Sequence, residues 1–180
     1  MDRLIPVEKI DDILPQYRDT PIGLLLEYHN LGRNFDIYER AKLLVGMCMD
    51  NRKHLNIPDN FSFILRTGGA NMRYSEFRVS FAIAVGGVKH IALIGHNHCG
   101  MVNLLGRKQE FIDGLVKNAG WDREKAIEHF DHYAPKHEIV NEADFILSEV
   151  KRLRIQYPQI MIAPMLYLVE NNKLYFLKEE

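Results

Sequence analysis

Apolar residues fall along this chain in two rhythms. In Leu43-Leu44-Val45-Gly46-Met47-Cys48 they are nearly continuous, and Phe61-Ser62-Phe63-Ile64-Leu65 and His90-Ile91-Ala92-Leu93-Ile94 are similar short runs between charged and turn residues. The three runs predict strands, the first two of them buried. Elsewhere apolar residues return every three or four positions. Phe77, Phe81, Ala84 and Val85 do so ahead of Gly86-Gly87, and Ile139, Ala143, Ile146, Leu147, Val150 and Leu153 do so ahead of Pro158. Both stretches predict helices, the second long, amphipathic and ended by its proline. Thr20 before Pro21 reads as the N-cap and first residue of a further helix running to about Tyr28 and closed by Gly32.

After the long helix, Ile160 to Val169 and Leu174 to Leu177 flank Asn171-Asn172, residues that tolerate the positive φ of a tight hairpin. An antiparallel edge strand is expected there. Strands separated by helices imply an α/β fold, a mostly parallel β-sheet with right-handed crossovers and flanking helices. Sheets of this kind bind ligands beyond the carboxyl ends of their strands. No repeat, low-complexity tract or linker interrupts the 180 residues, which predicts a single domain over 1–180 with an N-terminal helical arm to about residue 32. Gln109 to Lys136, with the single Trp121, is mostly helical in pattern and is expected to pack over the sheet.

Composition narrows the range of functions. With 47% hydrophobic and 26% charged residues the chain can bury a real core. The formal net charge is -1, and both signs are spread along the whole length, so there is no electrostatic footprint for nucleic acid or an anionic membrane. A small substrate is the expectation. No segment approaches the roughly 20 apolar residues a bilayer requires, and residues 1–20 lack a long apolar run with a small-residue cleavage site, so a cytoplasmic protein is expected. In that reducing compartment the two cysteines point to metal binding or catalysis rather than to a disulfide.

Cys48 ends the first predicted strand, and His96 and Cys99 follow the third. If those strands are neighbours, their ends present all three side chains at one crevice. Thiolate and imidazole are the usual ligands of zinc, and three protein ligands leave a fourth tetrahedral position open for a water. Gly95 and Gly100 on either side of the His96–Cys99 turn are expected to allow unusual backbone angles. Asp50 and Arg52 follow Cys48 at intervals of two, so in an extended segment all three share a face. Asp50 either closes the site as a fourth ligand or accepts a hydrogen bond from zinc-bound hydroxide. A guanidinium gripping it by two bonds lowers its pKa and favours the second role. Taken singly, the cysteines read as small buried hydrophobes, His96 as a core histidine, and Asp50–Arg52 as a surface ion pair worth under roughly 1 kcal/mol; their combination is what points to a metal centre.

Three segments together form a recognisable pattern. Cys48-Met49-Asp50-Asn51-Arg52, Arg66-Thr67-Gly68-Gly69-Ala70-Asn71, and Gly86-Gly87-Val88-Lys89-His90-Ile91 running into Gly95-His96-Asn97-His98-Cys99-Gly100-Met101 resemble the β-class carbonic anhydrases. The likeness is strong from Leu43 to Leu105, agrees with the family's layout after Ile139, and is poor in the N-terminal third and from Arg107 to Lys136. It implies a four-stranded parallel core, a homodimer or dimer of dimers, and one Zn2+ per chain held by Cys48, His96 and Cys99. It also implies Asp50 and Arg52 as a catalytic dyad and the reversible hydration of carbon dioxide to bicarbonate through zinc-bound hydroxide. In some members of the family the aspartate swings onto zinc and shuts the enzyme off. Relatives with the same ligands hydrolyse carbon disulfide or carbonyl sulfide, and that activity is one alternative. Another is a non-catalytic zinc-binding module with Asp50 as permanent fourth ligand. His98 and His54 are candidate proton relays, since free imidazole titrates near about pH 6.5. His98 stands where the family more often has a small polar or acidic residue. Gly68 and Gly69 are expected to let the backbone pass close to the pocket.

Overall fold

The architecture grows from the apolar runs. In a computed structural model that describes residues 3–179, β2 (Leu43–Cys48) lies inside the sheet with every residue buried. Leu43, Val45 and Met47 face a core shared with α1 (Pro21–His29), while Leu44 faces a second core under α2 (Glu76–Ala84) and α5 (Glu142–Gln156). Burial on both faces is why the run shows no alternation of apolar and polar residues. β3 (Ser62–Thr67) and β4 (His90–His96) flank β2, and β5 (Met161–Leu168) lies beyond β4, all in parallel. β6 (Lys173–Leu177) returns antiparallel to β5, and the short β1 (Leu4–Ile5) pairs antiparallel to β6. The sheet order is β1-β6-β5-β4-β2-β3, an α/β arrangement in which the last four are parallel neighbours.

Local sequence explains where the helices begin. The Thr20 hydroxyl accepts from the Ile22 N–H ahead of Pro21, and the Asn141 side chain accepts from the Asp144 N–H. Each cap satisfies a backbone donor that the first turn leaves unpaired. No described helix is long and apolar enough to cross a membrane.

The structure departs from the sequence pattern in five places. β6 is not the edge, because β1 covers it; two residues are too few to leave a periodic signal. The N-terminal segment is not simply a helical arm. It carries β1 and two 3-10 turns, Ile10–Asp12 and Pro15–Tyr17, before α1, and it buries Val7, Ile13 and Tyr17 in the α1-side core. The buried Asn30 amide fastens it by donating to the carbonyls of Val7 and Leu174. β3 is an edge strand with Phe63 and Ile64 partly exposed, rather than a buried strand. α2 forms as expected, but Val79 and Ala82 face the sheet, whereas Phe77 is 81% exposed and Phe81, Ala84 and Val85 also face outward. The helices α3 (Lys108–Ala119) and α4 (Arg123–His137) pack chiefly on each other, not over the sheet. They wall a largely apolar cavity of about 780 Å3 beside the carboxyl end of the parallel strands.

His29, in the last turn of α1, gives this packing a pH signature. Its ring lies 5.7 Å from that of Tyr167, and Nδ1 accepts from the Asn56 N–H at 3.0 Å. Burial lowers its pKa from 6.5 to about 4. Between those values the unfolded chain binds the proton and the folded one does not, so stability is whole above the upper value and falls as the pH drops toward the lower. The loss reaches about 3 kcal/mol. Denaturant unfolding across that window is expected to show the decline in the wild type and a smaller one in His29→Gln. Equal declines would contradict the burial account.

Candidate metal centre

Parallel pairing of β2 with β4 sets Met47 beside Ile94, so Cys48 and His96 leave the sheet at adjacent strand ends. Cys99 returns to them through the turn that follows β4. That turn is fastened from outside: the Asn97 Oδ1 accepts from the Val169 N–H at 2.9 Å, and its amide donates to Glu170. The unusual backbone angle falls on His98, with φ 55, and not on Gly95 or Gly100. Gly95 is needed for a different reason. A Cβ there would lie 2.7 Å from Cγ1 of Ile146, so its bareness lets α5 approach β4.

The three predicted donors meet. Cys48 Sγ and Cys99 Sγ are 3.9 Å apart, and the ligand atoms of Cys48, His96 and Cys99 all lie within 4.8 Å of one another, on buried residues. A tetrahedral zinc with Zn–S bonds of about 2.3 Å sets two sulfurs about 3.8 Å apart, which matches. The His96 ring fits as well. Its Nδ1–H donates to the Asn97 carbonyl at 2.8 Å, while Nε2 is buried with no hydrogen-bond partner. An imidazole so fixed turns a free lone pair toward the thiols. Two thiolates and an imidazole are donors that select zinc over magnesium or calcium. These residues therefore fit the ion.

Electrostatics already prepare one sulfur. The hydrogen bond from Cys99, the adjacent His96 ring and the backbone N–H groups of Asp50 and Gly69 together outweigh burial and hold the Cys48 thiol well below its usual range. Gly69 offers its N–H from a left-handed backbone, φ 63, where any other residue is strained. The thiol of Cys99 is pushed up by its bond to Cys48 and by burial. The pair thus shares one proton, held on Cys99.

Asp50 lies at the rim of the donor set, with Oδ2 3.9 Å from His96 Nε2. Arg52 grips it. Nε reaches Oδ1 at 3.0 Å, Nη2 reaches Oδ2 at 2.7 Å, and the Arg52 backbone N–H donates to Oδ1 at 2.9 Å. The guanidinium holds the carboxyl well below the usual carboxylate range, against a smaller opposing effect of burial. Arg52 Nη2 also donates to the His98 carbonyl at 2.9 Å, tying the dyad to the ligand-bearing turn.

Several residues that the sequence did not single out support this arrangement. Arg66 donates to the carbonyls of Cys48, Asp50 and Lys53, and Glu142, first residue of α5, accepts from the Cys99 N–H. Lys53 is wholly buried beside Asp50. The His98 imidazole points instead to Glu170 at the surface, 2.9 Å from Oε1, and His54 is exposed. Met49, Gly68, Gly100 and Met101 line the side of the cavity next to the centre, and Phe111 and Phe130 line the side under α3 and α4.

The family model described as carbonic anhydrase matches residues 46–171, well over half of the chain and including all five of the residues discussed as ligands or dyad. The chain belongs to the β-carbonic anhydrase family. Its fold is similar to that of β-carbonic anhydrase isoform I from Trichomonas vaginalis, at 19% identity and TM-score 0.64 over 83% of this chain and 91% of that one. It is likewise similar to a carbonic anhydrase from Glaciozyma antarctica, at 20% identity and TM-score 0.63 over 79% and 86% of the two chains. A carbon disulfide hydrolase shares the fold at 23% identity and TM-score 0.56, over 80% and 82%. No curated protein matches the chain in sequence.

For a β-carbonic anhydrase whose two thiols share one proton, the stoichiometry of proton release is a direct check. Calorimetric titration with zinc at about pH 6, below the range in which zinc-bound water ionises, in buffers of different ionisation enthalpy, is expected to show about one proton released per ion. Release of two would contradict a Cys48 thiolate. Cys48→Ala is expected to bind no stoichiometric zinc in the same titration.

Proposed function

We propose that this chain is a zinc enzyme that interconverts carbon dioxide and water with bicarbonate and a proton. One observation supports this above the others: Arg52 clamps Asp50 at the rim of a three-donor set, which leaves a fourth position to solvent. Cys48, His96 and Cys99 would hold the ion. Zinc bound there supplies the Lewis acidity that makes water a nucleophile near neutral pH. Two thiolates cancel the charge of the ion, so the surrounding residues have to contribute more than they would beside three histidines.

Asp50 makes that contribution. Ionised because Arg52 holds it, it accepts a hydrogen bond from the attacking water at Oδ2 and so turns an oxygen lone pair toward the substrate. Arg52 occupies both carboxylate oxygens from the outer side and keeps Asp50 an acceptor rather than a ligand. Met49, Gly68, Gly100 and Met101 offer an apolar wall suited to an uncharged, linear substrate. The proton set free has to reach solvent, and His98, bonded to Glu170 at the surface, is a relay for it, with exposed His54 the second candidate.

Hydrolysis of carbon disulfide or carbonyl sulfide at the same residues is the second reading, favoured by the likeness to a carbon disulfide hydrolase and by a cavity far roomier than carbon dioxide requires. Rates on the three substrates rank these activities. A non-catalytic module with Asp50 on the metal is disfavoured by the bonds from Arg52. We read the enzyme as cytoplasmic, since its thiols have to stay reduced. We also read it as a homodimer that can pair further. Phe77, Phe81 and Val85 stand outward on α2, whose carboxyl end reaches Phe63 of the edge strand β3, and they offer apolar surface of the sort that a second copy covers.

Stopped-flow hydration of carbon dioxide on protein of measured zinc content tests the mechanism. Asp50→Ala is expected to keep its zinc and to lose about 100-fold or more in rate; full rate in that variant would refute the dyad. Arg52→Ala, also zinc-loaded, is expected to be impaired because Asp50 is freed to bind the metal. Sedimentation of Phe77→Glu is expected to show monomer where the wild type is dimeric, and an unchanged dimer would put the interface elsewhere.

A further inference from the structure

Lys53 is 0% exposed, although lysine is almost never fully buried unless it is paired. Its Nζ donates to the backbone carbonyl of Asp50 at 3.2 Å, and among the described residues it forms no salt bridge with a carboxylate. The charges that act on it belong to the metal centre: the thiols of Cys48 and Cys99 and the carboxylate of Asp50 favour its charged form, and Arg66 opposes it. Burial lowers its pKa, and those three anions work against that shift.

The balance of charge around the site gives this lysine a role. Three fixed cations, Arg52, Lys53 and Arg66, stand against Asp50, the Glu142 carboxylate beside Cys99 and, once a metal is bound, two thiolates. A divalent ion on the thiolates therefore turns the pocket positive, and a small anion entering beside the ion restores the balance. Of the cations, Arg52 is already engaged by Asp50 and by the His98 carbonyl, and Arg66 by three backbone carbonyls. Lys53 makes one such bond and is out of contact with solvent, where a charge acts more strongly than at a wet surface.

We propose that Lys53 is a positioning residue, a buried counter-charge that tightens the binding of small anions, bicarbonate included, at the metal pocket. This rests on the reading of the centre as a metal-dependent hydratase. Lys53 touches neither substrate nor ion; it acts through the field it sets up across Cys48, Asp50 and Cys99. The hydration product is an anion, so the residue governs how firmly that product is held before it leaves.

The test uses the cobalt-substituted protein, titrated with thiocyanate and with bicarbonate while the visible absorption of the metal is followed. Lys53→Gln keeps a donor for the Asp50 carbonyl and removes the charge, while Lys53→Met removes both. Each is expected to retain stoichiometric metal and to bind both anions about tenfold more weakly. Wild-type affinity in Lys53→Gln overturns the proposal and leaves the hydratase reading intact. A wild-type spectrum that does not respond to either anion overturns both. Should neither variant fold, nitrogen-15 NMR of the Lys53 side chain in the zinc-loaded wild type decides: an ammonium at neutral pH supports the counter-charge, and a neutral amine overturns it.

Discussion

The parallel pairing of β2 with β4 is the constraint on which the rest of this centre depends. It brings together two chain segments separated by a strand and a helix, and its register fixes Cys48 and His96 at neighbouring carboxyl ends. Close packing holds that register from both sides. A Cβ at Gly46 would fall 2.9 Å from Leu93 on β4, and one at Gly95 would strike Ile146 of α5, so two bare positions let strand meet strand and helix meet sheet. A slip of one residue would reverse every side chain and send Cys48 to the wrong face. The two cores above and below β2 make that slip costly.

Upon this frame the site is built mainly by charge and by backbone hydrogen bonds. Arg52 and Arg66 reach main-chain carbonyls as well as Asp50, so the loop after β2 is fastened at several points near the ligands. Glu142 anchors Cys99 from the start of α5, and Asn97 anchors the same turn to the end of β5. Each ligand is thus held by an element other than its own. Anchoring of this kind orients the donors toward one another, and it leaves Asp50 aimed at the centre but restrained from entering it.

Much of this was legible in the sequence. Chemistry-bearing residues at fixed spacing, Cys48-x-Asp50-x-Arg52 and His96-x-x-Cys99, identify themselves because few arrangements put those side chains to use together. The strands were legible because burial on two faces leaves continuous apolar runs. What was not legible depends on neighbours that one segment does not encode. The run at Phe63 and Ile64 reads as buried, yet β3 has a partner on one side only. Phe77, Phe81 and Val85 mark a helix by their spacing, yet smaller Val79 and Ala82 are the residues that fit against the sheet, and the larger side chains stay exposed. β1 is too short for periodicity to mark. Lys53 was overlooked because nothing local separates a buried lysine from a solvated one.

Two sulfurs and one imidazole nitrogen are expected to share a divalent ion with one light atom that the protein does not supply. X-ray absorption at the zinc edge, on wild type and Asp50→Ala side by side, examines that directly. Two sulfur and two nitrogen-or-oxygen neighbours in both proteins is the predicted result. Fewer than two sulfurs, or the loss of one light neighbour when Asp50 is removed, would contradict it.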